Sequence, residues 1–499
     1  MKKKSLFLIG LFLVSFVLIQ AEKQSENRTE IWMGLYMQGV KIGYSYLMEE
    51  TVVEEGKTLL KNVNESNMRV SRLGSNPIDI FSVQESYFDM DGNPLKTVMR
   101  TKMSESETVI QAVIQPDKVI FSMGGETVKE MPYTEKFYLG VPIEEIAEKD
   151  GFKPGAEYSF KILDPVSYDL SDCSFEVLGK EKVLILGEQM DLWHVRSQIN
   201  MIMPVESHDW LDERGEVWES EMKTGFLTTT TIRMSQEKAM EPVTENFDIA
   251  FSTVVKSNVL FEEPQSVQKV VFKLSGISEE RIRNLPYDGA NLKLIELKDS
   301  SAVIETESIV FLEKDAANLP ISDPMLQKYL RPTNFVQSDD PMINKTANTI
   351  IGSEKNSWRA AKKIADWIAK EMTPNYDVGF ASAKEIMQNK EGDCSEHTVL
   401  MVALCRAVGI PARAAVGIMY GGGIFGYHMW PEVYVGQWVS LDAKWLAKDN
   451  QSGEYYTDAT HIKFGESALD ENIFKEMVQA ISEVIGKIKL EILDYSVDQ

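Results

Sequence analysis

Gly392-Asp393-Cys394 opens a stretch, 392–412, that reads GDCSEHTVLMVALCRAVGIPA, and its reading decides how the second half of the chain folds. Leu400, Ala403, Leu404, Ala407 and Val408 recur at helical spacing and predict a helix with a buried stripe. Gly409 stops that helix, and Pro411 follows two residues later. Gly392-Asp393 breaks the preceding pattern, and Asp393 is a natural N-cap. Cys394 therefore falls in the first helical turn, where exposed N–H groups and the helix dipole favour thiolate over thiol. A cysteine so placed is a candidate nucleophile. The same N–H groups are candidates to receive a developing oxyanion. Cys405, inside the apolar stripe, reads instead as a small buried hydrophobe. It lies about 16 Å up the helix, too far from Cys394 to share an ion or a disulfide.

A nucleophilic thiol needs a base. Downstream, Arg413–Tyr420 reads as a strand, and a glycine-rich loop (Gly421-Gly422-Gly423, with Gly426) leads to His428. Residues 428–435 alternate as a strand, Gly436-Gln437 is a turn, and Trp438–Asp442 is the return strand. The hairpin offers His428 on one strand and Asp442 on the other. Register decides whether they can cooperate, because a slip of one residue sends a side chain to the opposite face. A two-residue turn would part them. A three-residue loop, 435–437, sets Asp442 opposite Trp430 and diagonal to His428, within hydrogen-bonding reach. An odd-length loop or a bulge is therefore expected.

These spaced elements resemble the transglutaminase-like superfamily: Gly392-Asp393-Cys394; then Cys405 to Arg413 with Gly409-Ile410-Pro411; then His428-x-Trp430-x-Glu432-Val433-Tyr434; then Trp438-x-x-Leu441-Asp442. The Ala383–Met387 segment is similar to the family's lead-in helix. The resemblance covers roughly residues 355–445. It implies an α+β papain-like catalytic domain with nucleophile Cys394, base His428 and orienting acid Asp442, performing acyl transfer through a thioester. Such chemistry needs no cofactor. Some relatives use calcium, but no acidic loop here spells such a site. Pro431 and Ala443-Lys444 depart mildly from the pattern on what would be the acyl-acceptor side. Asn375 and Tyr376 are weak candidates to complete an oxyanion hole.

His397 stands three residues after Cys394, so a Cys-x-x-His metal pair would need two further ligands, and the remaining histidines have ordinary contexts. No metal site is expected, and His397 reads as a group beside the site. Trp430, Trp438 and Trp445 read as core.

Outward from this segment, 499 residues suggest three or four domains, and 43% apolar with 26% charged residues describes a globular protein rather than a disordered or multi-span one. The net charge of −24 repels phosphate backbones and argues against nucleic acid as a partner. Three cysteines exclude a disulfide scaffold. Lys2-Lys3-Lys4, an apolar run from Leu6 to Ile19 and Gln20-Ala21 read as a secretory signal peptide over 1–21, with an uncleaved membrane anchor as the alternative. An extracytoplasmic, periplasmic or secreted protein is expected.

Residues 22–264 read as a β-rich region of short antiparallel strands, either two related β-layers with a boundary near 125–135 or one long meander. Tyr87–Gly92 and Trp210–Gly215 echo each other within it. Residues 265–315 read as a small β domain and 316–354, rich in Pro and Asp, as a linker. Residues 355–499 read as the catalytic domain, closing with an amphipathic helix over 473–485 and a strand through Ile488, Leu490 and Ile492. The expected activity is exported, cysteine-dependent acyl transfer on amide or peptide bonds of a protein or peptide substrate, either hydrolytic or cross-linking. The alternative is a catalytically retired domain serving as a binding or assembly module.

Overall fold

The computed structural model describes residues 29–497, apart from 72–76, 104–105, 202–203, 225–226, 245–246, 249–252, 288–290, 299–300, 376–380, 471–475, 477–479, 481–483 and 485. The signal segment, Tyr376 and most of the expected 473–485 helix lie outside the described residues. No helix among the described residues is long and apolar enough to cross a membrane. The chain forms two compact units, Met1–Ile249 and Ala250–Gln499, fewer than its length suggests.

In the first unit fifteen strands join one sheet, nearly all antiparallel. Strand Thr29–Met37 pairs on one side with Val40–Glu54 and on the other with the last strand, Leu227–Met234. The two-residue turn between the first two strands holds Gln38 and Gly39 at positive φ, a conformation suited to right-twisted hairpins. Strands follow one another outward to the margins at Glu126–Pro132 and Phe137–Tyr138. Val119 and Phe121 near one margin share an apolar cluster with Phe137 and Leu163 near the other, so the sheet curls until its margins meet on one interior. The sequence echo is one loop used twice. Asp89 Oδ1 accepts from the Asp91 and Asn93 amides, both at 2.9 Å, and Asp212 Oδ1 accepts from those of Arg214 (2.9 Å) and Glu216 (3.1 Å).

The second unit carries a four-stranded and a five-stranded sheet with helices. The segment expected as a separate small β domain is part of this unit. Its strand Val267–Ser275 pairs with Ser301–Glu307 and also with the C-terminal strand Lys489–Val497. Phe272 and Ile304 pack in one cluster with Ile418, Tyr420, Phe425, Ile462 and Phe464. Pairing across more than two hundred residues leaves no local signal.

The expected linker also differs from the sequence reading. Helix Pro341–Ile351 lies within it, capped by Asp340, whose Oδ1 accepts from the amides of Met342 (2.8 Å) and Ile343 (3.4 Å). The Asp-Pro pair that reads as a connector is an N-cap followed by proline at the first helical position, where its missing N–H costs nothing. Helix Ser357–Glu371 follows, capped by Asn356, and buries Ala361, Ile364, Ala365 and Ile368 on one face.

Candidate active site

Helix Cys394–Ala407 begins where the sequence places it. Asp393 Oδ1 accepts from the Ser395 amide (2.8 Å), and Glu396 Oε2 accepts from the Asp393 amide (3.0 Å), closing a reciprocal capping box. Gly392, at φ +155°, is obligatory, because a Cβ there would lie 2.2 Å from Glu396 Cβ. The helix is buried on every side from Ser395 to Arg406, not on one stripe alone. An all-round apolar helix is an interior helix. Of the three cysteines, none of them disulfide-bonded, Cys173 and Cys405 are buried and Cys394 alone is half-exposed. Burial pushes the Cys173 thiol up to about 12 and raises that of Cys405 as well.

Strands Ala412–Gly421 and Ile424–Tyr434 form a hairpin across Gly422 and Gly423, both at positive φ. The glycine-rich run is therefore a tight turn, and the His428 strand already starts at Ile424. The return strand Trp438–Ser440 pairs Glu432 with Ser440, Val433 with Val439 and Tyr434 with Trp438. This is the register of a three-residue loop, so Asp442 comes back towards His428. His428 Nε2 donates to Asp442 Oδ2 at 2.5 Å. The bond leaves Nδ1 as the acceptor nitrogen of the ring.

The Thr398 hydroxyl, one turn along the helix, lies 2.8 Å from the Cys394 carbonyl and 3.1 Å from that of Met429. It ties the cysteine's turn to the residue after His428. His428 and Asp442, 14 positions apart in the sequence, are joined on the hairpin, and Thr398 fastens the helix that Cys394 opens to the strand that carries His428. Residues 344–443 form a transglutaminase-like superfamily domain.

The transglutaminase-like match starts within helix Pro341–Ile351, eleven residues before the boundary read from sequence. Over 101 residues the chain is 32% identical to an uncharacterized protein of Haemophilus influenzae, a match covering 19% of this chain and 27% of that protein. The chain thus spans about a quarter of the length of this curated relative. Among solved structures, one described as a candidate cysteine protease of Cytophaga hutchinsonii aligns at 16% identity over 46% of this chain and 89% of that one, with a TM-score of 0.31. A β-barrel-like protein of a domain of unknown function from Brucella abortus aligns at 13% identity over 42% and 96%, with a TM-score of 0.33.

The charges inside the transglutaminase-like domain are sorted by burial. Asp442 is fully buried, which opposes its charge, yet His428 and His461 hold its carboxyl far below the usual range. Glu396 moves the other way: burial, together with the neighbouring Asp393, raises it well above the ordinary carboxylate value. The Ser395 amide, and the helix amide facing the Asp393 carboxylate in the capping box, are already engaged. These two N–H groups are therefore not open to an oxyanion. Asn375, whose amide donates to the Gly392 carbonyl (3.0 Å) and whose side chain donates to Glu391 (3.1 Å), lies next to the cysteine's loop.

His397 turns its Nδ1 onto the Asp393 carbonyl at 2.6 Å and is buried, which lowers its affinity for a proton. Trp430 is fully buried and stacks on His428 at 5.9 Å, while Trp438 is half-buried beneath Arg413.

Sequence reading missed His461. It sits just before strand Ile462–Ser467, fully buried, with Nε2 3.5 Å from Asp442 Oδ2 and Nδ1 3.4 Å from Asp458 Oδ1. That strand and the His428 strand flank Ala412–Gly421, and Gly417 pairs with His428 on one side and Lys463 on the other. A Cβ at Gly417 would meet the Ile462 carbonyl at 2.0 Å and the Trp430 ring at 3.0 Å. The donor atoms of His428, Asp442 and His461 all lie within 4.8 Å of one another, close enough for a metal cluster. The 2.5 Å separation of His428 and Asp442 is a direct hydrogen bond. It is shorter than the roughly 3.3 Å between two tetrahedral ligands about 2 Å from one ion.

Proposed function

We propose that this chain is an exported thiol enzyme that transfers acyl groups from amide or peptide bonds through a Cys394–His428–Asp442 triad. The observation that carries the reading is the His428 Nε2–Asp442 Oδ2 bond, on a strand that Thr398 ties to the helix whose first residue is the half-exposed Cys394. Asp442 fixes the tautomer, so Nδ1 is the nitrogen that takes the Cys394 proton. The thiolate attacks the carbonyl carbon and pushes an electron pair onto its oxygen. Collapse breaks the C–N bond, and the His428 imidazolium protonates the departing amine. A thioester on Cys394 remains. Water, deprotonated by His428, then gives a carboxylic acid, and an amine in the same place gives a new amide. The catalytic core is papain-like in this reading, a buried helix delivering the thiol to an antiparallel sheet that delivers base and acid. The basic and apolar N-terminus (Lys2–Ala21) supports export to the periplasm or medium, by a cleaved signal or a retained anchor.

The test compares wild type with Cys394→Ala on a panel of peptide amides, scoring hydrolysis and incorporation of a labelled amine, and seeks the trapped acyl adduct on Cys394 by mass spectrometry. Loss of turnover in the variant and an adduct on Cys394 are expected. Indistinguishable behaviour would leave the domain as a binding or assembly module.

A further inference from the structure

We infer that His461 is a positioning residue of this site: clamped by Asp458, it shares the Asp442 carboxylate with His428 and moderates the pull of Asp442 on the His428 ring. The inference rests on the triad reading and extends it to a five-membered chain, Asp458–His461–Asp442–His428–Cys394.

The geometry is directional. Asp442 Oδ1 accepts from the Lys444 amide at 2.9 Å, so Oδ2 is the oxygen left to the imidazoles, His428 at 2.5 Å and His461 at 3.5 Å. Asp458 is fixed in its own turn, its Oδ1 accepting from the Thr460 amide (2.9 Å) and hydroxyl (2.5 Å). His461 Nδ1 lies 3.2 Å from the Asp458 carbonyl and 3.4 Å from its carboxylate. The two carboxylates thus favour the charged imidazolium at His461, whose Nε2 stands 3.5 Å from Asp442 Oδ2, short of a formed hydrogen bond. Burial opposes that charge, but Asp458 and Asp442 outweigh it and raise His461 to about 9. The ring is held in place as well, edge-on to Trp430 at 5.2 Å and to His428 at 5.5 Å.

Charge counting shows the use. Two buried carboxylates, Asp442 and Asp458, face one cation at His461 and leave a net single negative charge for the His428 imidazolium. The charged groups acting on His461 are Asp458 from its own turn, Asp442 after the return strand and His428 from the middle of the hairpin. His397 and Lys444 lie within range of one another, and His397 also feels Asp442. Without His461 the full charge of Asp442 falls on the His428 imidazolium and strengthens its hold on the proton that the departing amine must take.

The test is a histidine-selective NMR titration of the full chain, tractable with five histidines, on wild type, His461→Gln and Asp458→Asn. The His428 midpoint is expected to rise by about two pH units in His461→Gln, the shift for removing a unit charge 5.5 Å away at an effective protein dielectric near 20. Asp458→Asn, which removes a carboxylate together with the clamp, should leave the midpoint unchanged or lower, and His461→Asn serves alone if melting shows His461→Gln unfolded. A midpoint that is unchanged or lower in every folded His461 variant overturns the inference. Iodoacetamide labelling of wild-type Cys394 is run alongside. Labelling no faster than a free thiol would sink the triad reading itself, whatever the histidine titrates to.

Discussion

Glu432, the acid of the His-x-Trp-x-Glu run, gives the sharpest test of how the hairpin is held. Its side chain is 5% exposed and accepts from Arg413 Nε (2.7 Å) and Lys463 Nζ (2.9 Å), two cations that are themselves only 5% and 1% exposed. Three consecutive strands are therefore pinned by one carboxylate. Burial alone would raise the Glu432 pKa, yet Lys463 and Arg413 hold it below the usual range. Glu432→Gln preserves shape and removes the charge, stranding Lys463 almost completely, since Glu466 reaches it only at 3.5 Å. Removing one partner of a buried ion pair costs about 3–5 kcal/mol. For a unit of this size that is a fall in Tm of roughly 6–20 °C in the transition of the second unit. The sign with pH follows: a carboxyl depressed on folding stabilises above its unfolded value and loses that contribution as pH falls through its folded value. The wild-type and variant melting temperatures should therefore converge towards acid. Calorimetry at neutral and acid pH reads both effects. A variant melting within about 1 °C of wild type at neutral pH would refute the reasoning.

Other outcomes follow from the same geometry. Asp442→Asn should keep the fold yet cut iodoacetamide labelling of Cys394 and any turnover by orders of magnitude, because the His428 tautomer is no longer fixed; a near-normal rate would remove Asp442 from the site. Gly417→Ala should destabilise the second unit by about 1–3 kcal/mol and disturb both histidines, since its Cβ meets the Ile462 carbonyl and Trp430; wild-type melting and histidine spectra would show that the close approach is not real. In the first unit, Asp209 is fully buried, its carboxyl raised by burial and countered only in part by Ser220 and Ser207. An acid raised on folding makes stability fall as pH climbs from its unfolded value to its folded one. Asp209→Asn should raise the Tm of that unit at neutral pH and flatten its pH dependence; an unchanged or lower Tm would contradict it.

The local signals were legible because they are short-range. Asp393 caps its helix, Gly392 has room for no side chain, and Gly409 ends the helix, all through contacts within a few residues. The period-two pattern and the odd loop were enough to predict that Asp442 returns towards His428, since register arithmetic needs no knowledge of the rest of the chain. The Asp340-Pro341 start was misread because a capping Asp and an N1 proline use the same residues as a linker.

The sequence by itself determined the place of Cys394 at a helix mouth and the alternation that sets His428 and Asp442 on one face. Only the tertiary structure decided that Lys489–Val497 completes the sheet begun at Val267 and that the margins of the first sheet meet. It alone brought His461, nineteen positions beyond Asp442, across the gap at Gly417 to share that carboxylate. Strand order is fixed by burial of apolar surface between segments far apart in the chain, and residues so distant carry no periodicity that links them.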